Sequence, residues 1–283
     1  MKNIPAKIQG GLKTHGKFFK KSGKDKPLVS IVTVCKNSER FLEDTIKSVI
    51  NQSYDNIEYI VIDGESKDKT LDIIKRYESN IAYWVSEPDE GIYDAMNKGV
   101  SIAAGEWVGI INSDDWYHPN AVEWLILYSR NNPDIDVFYG DLLYPKPESG
   151  YLRKENWLKD GKEIRRSGTH ENMLDYWRLT HPSCFVRKSN YLKYHFNQSF
   201  KLSADYDFLL SLYSANKKFF HIPKPMVYFR PIGKSSKFSY RSVFEHFLIR
   251  KKYNIYKALK YLFLETIDYL KEFCYLCKQY LER

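Results

Sequence analysis

An α/β fold with a central, mostly parallel sheet flanked by helices is what this sequence predicts, and two patterns predict it. Three apolar runs, Leu28–Val34, Ile57–Ile62 and Trp107–Ile111, are each followed by residues at helical spacing, the alternation that builds a parallel sheet with crossover helices. Each run also ends in polar or acidic residues, and in an open α/β sheet ligands bind beyond the carboxyl ends of the strands. At 283 residues and 43% hydrophobic content the chain can bury a full core, and the length favours one large domain with appendages.

The elements follow in chain order. Residues 1–26 carry eight Lys against one Asp and read as a basic N-terminal arm, with no apolar core of signal-peptide length. No window anywhere approaches the roughly 18 apolar residues of a membrane span. After the first run, Leu42, Ile46, Val49 and Ile50 repeat on one helical face. After the second, Leu71, Ile74 and Tyr77 do so, with Ser66 placed to cap the helix. Pro119 opens the helix after the third. Beyond about residue 135 the alternation loosens. Strands are predicted over Asp136–Tyr144, Tyr151–Lys154 and Pro182–Arg187, a helix over Ser203–Asn216 and a strand over Met226–Arg230. Loops of this half are expected to set the second substrate. From about Tyr240 a C-terminal helical tail is predicted, with Leu259, Leu262, Phe263 and Ile267 in a stripe and Lys257, Lys260 and Lys271 elsewhere on its surface. The expected organisation is an arm (1–26), a catalytic domain (27–235) and a basic, aromatic-rich tail (236–283).

The net charge of +9 sits at the ends: +7 over residues 1–26, +4 over 240–283, and −2 between them. That distribution suits an anionic membrane surface rather than a nucleic-acid groove, although packing of the tail on the body or on a second subunit explains its stripe equally well. Aromatic content of 16%, with 23 Tyr, fits sugar stacking or a membrane interface. Cys35 and Cys184 lie in apolar runs, and the Cys274/Cys277 pair has no further zinc ligands near it. A reducing compartment is expected, hence a cytoplasmic protein, peripheral on the inner membrane face if the basic ends bind lipid.

Asn112-Ser113-Asp114-Asp115, directly after an apolar strand, is the strongest chemical signal. Adjacent carboxylates at a strand end suit Mg²⁺ or Mn²⁺, which take oxygen ligands and bridge to diphosphate. One Asp can hold the metal while the other accepts from a ribose or sugar hydroxyl. The metal would act as a Lewis acid on the departing diphosphate.

Four segments together, Val29-Ser30-Ile31-Val32-Thr33-Val34, Tyr59-Ile60-Val61-Ile62-Asp63-Gly64-Glu65-Ser66, Gly91-Ile92-Tyr93-Asp94-Ala95-Met96-Asn97-Lys98-Gly99 and Asn112-Ser113-Asp114-Asp115, resemble the family 2 glycosyltransferases in order and spacing, over roughly residues 27–235. The resemblance implies a GT-A-like nucleotide-binding fold and hexosyl or N-acetylhexosaminyl transfer from a nucleotide diphosphate sugar. A glycan or lipid-linked acceptor, of the kind used in bacterial surface-polysaccharide synthesis, is implied as well. Carried onto this chain, it makes Thr33 and Asp63 nucleobase contacts, Asp94 a donor contact, Asp114 the ribose or sugar contact and Asp115 the metal ligand. His181, before Pro182, resembles a segment facing the acceptor or diphosphate.

Ser203-Ala204-Asp205-Tyr206-Asp207 begins a predicted helix. An inverting transfer needs one carboxylate to take the acceptor proton. Residues two apart diverge on a helix, so Asp205 and Asp207 cannot act as a pair. Asp205, in the first turn where the dipole favours an anion, is the expected base. The family usually has a Glu-Asp pair here, and Ala204 replaces its Glu. Arg230 and Lys234 are basic groups placed to meet donor phosphates, although surface basic residues are common.

Two rivals fail on backbone grounds: Gly233-Lys234-Ser235 has Tyr228 where a phosphate-binding loop needs Gly, and Cys35–Arg40 lacks the glycines of a dinucleotide fold. A sugar nucleotidyltransferase and a non-catalytic nucleotide-sugar binding module stay open as alternatives.

Overall fold

The computed structural model describes residues 7–145, 152–154, 158–159, 162–163, 179, 181–230, 239–254, 256, 258–259 and 263. Its strands are β1 (Ile8–Gly10), β2 (Val29–Cys35), β3 (Ile57–Asp63), β4 (Tyr83–Ser86), β5 (Trp107–Asn112), β6 (Trp116–Tyr117), β7 (Val137–Pro145), β8 (Leu152–Lys154), β9 (Leu158–Lys159), β10 (Lys162–Glu163), β11 (Cys184–Arg187) and β12 (Phe219–Tyr228). The helices are α1 (Leu42–Ile50), α2 (Thr70–Arg76), α3 (Ile92–Ile102), α4 (Ala121–Asn131), α5 (Lys188–Lys193), α6 (Ala204–Ser214) and α7 (Tyr240–Lys251).

One mixed sheet runs in the order β1-β4-β3-β2-β5-β11-β7-β12-β6, with β8 on β7. Strands β4, β3, β2 and β5 are mutually parallel. Across β5 the character changes: β11 is antiparallel to both β5 and β7, and β12 returns parallel to β7 with bulges around Pro225. Pro cannot donate to a ladder, so the register slips where Pro223 and Pro225 fall.

Strands buried on both faces read as unbroken apolar runs, and β2 and β3 are buried at every residue. Their side chains alternate between two cores. Val32 and Val34 join α3, α5, α6 and α7 on one face, whereas Val29, Ile31 and Cys35 join α1, α2 and α4 on the other.

The three apolar runs become β2, β3 and β5 within a residue of their expected ends. Four-residue β4 carries too short an apolar run to be read in the sequence, and the family-like segment from Gly91 folds as α3. Gly91, at φ +126 and ψ 174, lets the chain turn into that helix through a conformation other residues rarely adopt. Two local expectations change. Ser66 does not cap α2, which begins at Thr70; its hydroxyl bonds Asp63 instead. Asn120, not Pro119, immediately precedes α4.

The basic arm is ordered where described. Residues Ile8–Gly10 pair antiparallel with β4, and Lys13 forms an ion pair with Glu58. Glu58 is fully buried and also accepts from Ser30 Oγ and from the Ala104 N–H at 2.6 Å. Among the described residues no helix is long and apolar enough to cross a membrane. Residues 264–283, including Cys274 and Cys277, and Lys234 lie outside the described residues.

Candidate active site

Parallel register lines up the carboxyl ends of the first four parallel strands. Cys35 sits beside Asp63, Val34 beside Asn112 and Asp63 beside Ser86. The loops beyond are sewn together: Asn37 N–H donates to Ser66 Oγ (2.8 Å), Lys67 N–H to Asn37 Oδ1 (2.8 Å) and Ser38 N–H to Thr70 Oγ1 (2.7 Å). Ser38 and Ser113 hydroxyls meet at 2.8 Å. Asn37 (φ 51) and Glu65 (φ 60) take left-handed backbone at these two strand ends, a strain that functional loops commonly carry.

The two residues expected to contact the nucleobase both make internal hydrogen bonds. Thr33 is fully buried, and its hydroxyl accepts from Tyr59 Oη at 3.1 Å. Position parity in β2 turns it toward the α1–α2 layer. Asp63 is also fully buried. Its carboxylate accepts from Ser86 Oγ (2.6 Å), Ser66 N–H (3.1 Å), Ser66 Oγ and Cys35 Sγ (3.7 Å). With four protein donors on its two oxygens, Asp63 shapes the loop that a base would meet rather than presenting a free acceptor.

The Asp114–Asp115 turn is organised by Arg230. Arg230 N–H donates to Asp115 Oδ1 (2.9 Å) and its guanidinium to the Asp114 carbonyl (3.0 Å) and Asp44 Oδ2 (2.6 Å). That guanidinium also stacks near Phe41 (4.5 Å) and Trp116 (4.3 Å). Arg230 is therefore engaged with protein, not held open for a phosphate. Asp115 is fully buried, its second oxygen accepting from Asn112 Nδ2 (3.2 Å). Burial, followed by the neighbouring Asp114 charge, pushes its carboxyl up to about 8. Asp114 is half-buried and raised by burial, against the pull of Arg230. Two adjacent carboxylates keep a raised proton affinity even with the Arg230 charge beside them. A divalent ion fits that donor set, because Mg²⁺-type sites use one or two carboxylates and complete their shell with water and substrate phosphates. No group of three metal-ligating side chains occurs among the described residues.

The third component comes from α3. Asp94 accepts from Glu90 N–H (3.1 Å), Lys98 Nζ (3.0 Å) and Gln198 Nε2 (3.3 Å). Against burial, which acts to raise it, these bonds hold its carboxyl below the usual range. One residue earlier, Tyr93 Oη donates to Asp205 Oδ1 at 3.0 Å. One turn later, Asn97 bonds both backbone groups of Phe196, at 2.9 and 3.0 Å. Helix α3 starts just beyond the carboxyl end of β4, so Tyr93 brings the first turn of α6 to the same sheet edge as the Asp114–Asp115 turn.

The helix dipole does not dominate at Asp205. Burial lifts its carboxyl to about 6, opposed by the Tyr93 hydroxyl and backbone N–H groups. At pH 7 the group is ionised yet basic, as a proton acceptor needs. Asp207 faces elsewhere and pairs with Lys252 at 2.7 Å. His181 is turned inward: it is 3% exposed, 3.3 Å from Tyr191 Oη, edge-on to Phe196, and burial lowers its pKa to about 4. It is a neutral, inward-facing residue packed with Tyr191 and Phe196. Tyr93, the residue that joins the two halves of the site, was missed in the sequence because nothing local marks a contact 112 residues away.

A parallel sheet with an Asp pair at its carboxyl rim, joined to a less regular second half, is the arrangement of a GT-A glycosyltransferase. The chain belongs to the glycosyl transferase family 2, whose model matches residues 30–232. An uncharacterized glycosyltransferase of Methanocaldococcus jannaschii is 29% identical over 264 residues, covering 87% of this chain and 89% of that one. By structure the chain is similar to S. aureus TarS 1–349 in complex with UDP (TM-score 0.62, 17% identity, 83% of this chain and 69% of that one). It is also similar to a mannosyltransferase of Pyrobaculum calidifontis in complex with GDP-Man and Mn²⁺ (TM-score 0.59, 17% identity, 84% and 70%). At that identity the two structures speak for the fold.

Proposed function

We propose that this protein is an inverting, metal-dependent glycosyltransferase that moves a hexosyl or N-acetylhexosaminyl group from a nucleotide diphosphate sugar to a hydroxyl of a glycan or lipid-linked acceptor. The observation that carries the reading is the Tyr93–Asp205 hydrogen bond at the rim that also holds Asp114 and Asp115. In this reading the ionised Asp205 takes the acceptor hydroxyl proton as its oxygen bonds the anomeric carbon. The bond from that carbon to the diphosphate breaks on the opposite face, and nucleoside diphosphate leaves with the electron pair. Asp114 accepts from a ribose or sugar hydroxyl, and Asp94 contacts the donor. Asp115 and the donor's phosphates would hold Mn²⁺ or Mg²⁺, which supplies Lewis-acid stabilisation of the leaving group. Related folds holding UDP, UDP-GlcNAc, and GDP-Man with Mn²⁺ lend support to this donor class.

The test is binding and turnover. UDP-GlcNAc or GDP-mannose with Mn²⁺ should raise the melting temperature, and Asp115→Ala should abolish that rise. Asp205→Asn should reduce turnover about 10²–10⁴-fold, the usual worth of a positioned base, while donor affinity persists. Pyrophosphate release instead of nucleoside diphosphate would establish a nucleotidyltransferase.

An anionic, inner-face membrane surface is the proposed second partner, through the C-terminal end of the chain. Supporting it, Tyr240 (66% exposed), Phe244 (58%), Tyr256 (81%) and Phe263 (66%) project to solvent among Arg241, Lys251 and Lys252. Removing residues 240–283 should release the protein from vesicles containing anionic lipid, and retained binding would reject the idea.

A further inference from the structure

Glu245 lies on α7, beyond the residues matched by the family model, and is 5% exposed. Its carboxylate accepts from three successive backbone N–H groups, Lys201 (2.9 Å), Leu202 (2.9 Å) and Ser203 (3.1 Å), and from Arg241 Nε (2.9 Å). Successive amides converging on one anion form a nest, and charge-assisted bonds of this kind are roughly twice as strong as neutral ones. Against burial, which acts to raise it, those bonds hold the Glu245 carboxyl below its ordinary range. Asp205 follows two residues after Ser203, and the residue between them, Ala204, has no polar group with which to fix this turn.

We propose that Glu245 is a positioning residue for Asp205: from α7 it grips the backbone of residues 201–203 and thereby aims the first turn of α6 at the acceptor. The inference rests on the reading of Asp205 as the base. Other contacts from α7 and the residue just after it hold the same turn, with Lys252 on Asp207 at 2.7 Å and the Arg250 guanidinium 4.8 Å from the Tyr206 ring centre. Chain beyond the family-matched region thus completes the site, which gives α7 a role other than a surface appendage.

The charged and titratable groups around Asp205 set the sign of the test. They are Tyr93 from α3, the Asp207–Lys252 pair, Glu245 with Arg241, and two histidines that burial keeps neutral, His181 and, on α7, His246. The Glu245 charge raises the Asp205 carboxyl, so removing it lowers that carboxyl's titration midpoint.

In Glu245→Gln, carbon-detected NMR should show the Asp205 carboxyl titrating below about 6. Nucleoside diphosphate release from UDP-GlcNAc or GDP-mannose with Mn²⁺ should fall at least about tenfold in kcat with donor KM nearly unchanged, as misaimed catalytic groups behave. Glu245→Asp keeps the charge but withdraws the carboxylate by one methylene, and should lower kcat while leaving the midpoint near 6. An undiminished kcat in a folded Glu245→Gln protein, or an equal loss of kcat and donor affinity in both variants, overturns the proposal. Asp205→Asn separates the two claims. Full turnover in that variant removes the base itself, whereas an inactive Asp205→Asn beside a fully active Glu245→Gln removes only the role of Glu245.

Discussion

At the scale of single residues, the site is a set of carboxylates sorted by what surrounds them. Asp63 is saturated with donors and braces a loop, and Asp94 is held ionised by Glu90 N–H and Lys98. Asp115 and Asp205 are short of compensation, and burial raises both. For Asp205 the consequence is a pH dependence. As the proposed base it works only when ionised, so kcat should rise as pH increases through about 6. The Tyr93 hydroxyl stabilises the ionised form, and Tyr93→Phe removes that donor. The acid limb of kcat should then move to higher pH, with turnover at pH 6.5 falling about three- to tenfold. A pH profile of nucleoside diphosphate release checks it, and an unmoved limb would detach Tyr93 from the base.

At the scale of elements, α3 is the beam that joins the two halves. It packs on β2 and β3 through Gly99, where an added Cβ would lie 2.3 Å from Val32 Cγ1. Its other end presents Tyr93, Asp94 and Asn97. Gly99→Ala gains about 1 kcal/mol of helix propensity but overpacks a tight contact, which typically costs about 1–3 kcal/mol. Net destabilisation is expected by urea unfolding, and Val32→Ala in the same chain should recover part of it by making room. Three strands, their crossover helices and the acidic rim were readable in the sequence, since a strand buried on both faces writes its own apolar run. Helix α3's role was not readable, because Tyr93 finds Asp205 only once the second half of the chain has folded back.

At the scale of the whole molecule, both charged ends are bound to the body where they are described. The arm adds β1 to the sheet edge and inserts Lys13 toward buried Glu58. Breaking a buried pair by deleting one partner costs about 3–5 kcal/mol, and Lys13 keeps some solvent contact, so Lys13→Met should cost about 3 kcal/mol. Adding Glu58→Gln should restore most of the loss by removing the stranded charge. Chemical denaturation of the single and double variants measures this, and additive losses would show that the pair is not coupled. Net charge alone suggests an arm held for an anionic surface; pairing with the sheet uses one of its lysines for the fold.

By itself the sequence determined the α/β class, three strands of the parallel half, the acidic rim and the family, because each rests on a contiguous run or a fixed spacing. Tertiary structure alone decided which polar groups are buried against protein partners, as Thr33, Asp63 and His181 are, and which keep some exposure, as Asp114 and Asp205 do. It also decided that Tyr93 and Glu245 meet the first turn of α6 from two distant segments. Burial and hydrogen-bond partners belong to the packed chain, and a residue's type states what it can donate or accept but not whether a neighbour has already claimed it.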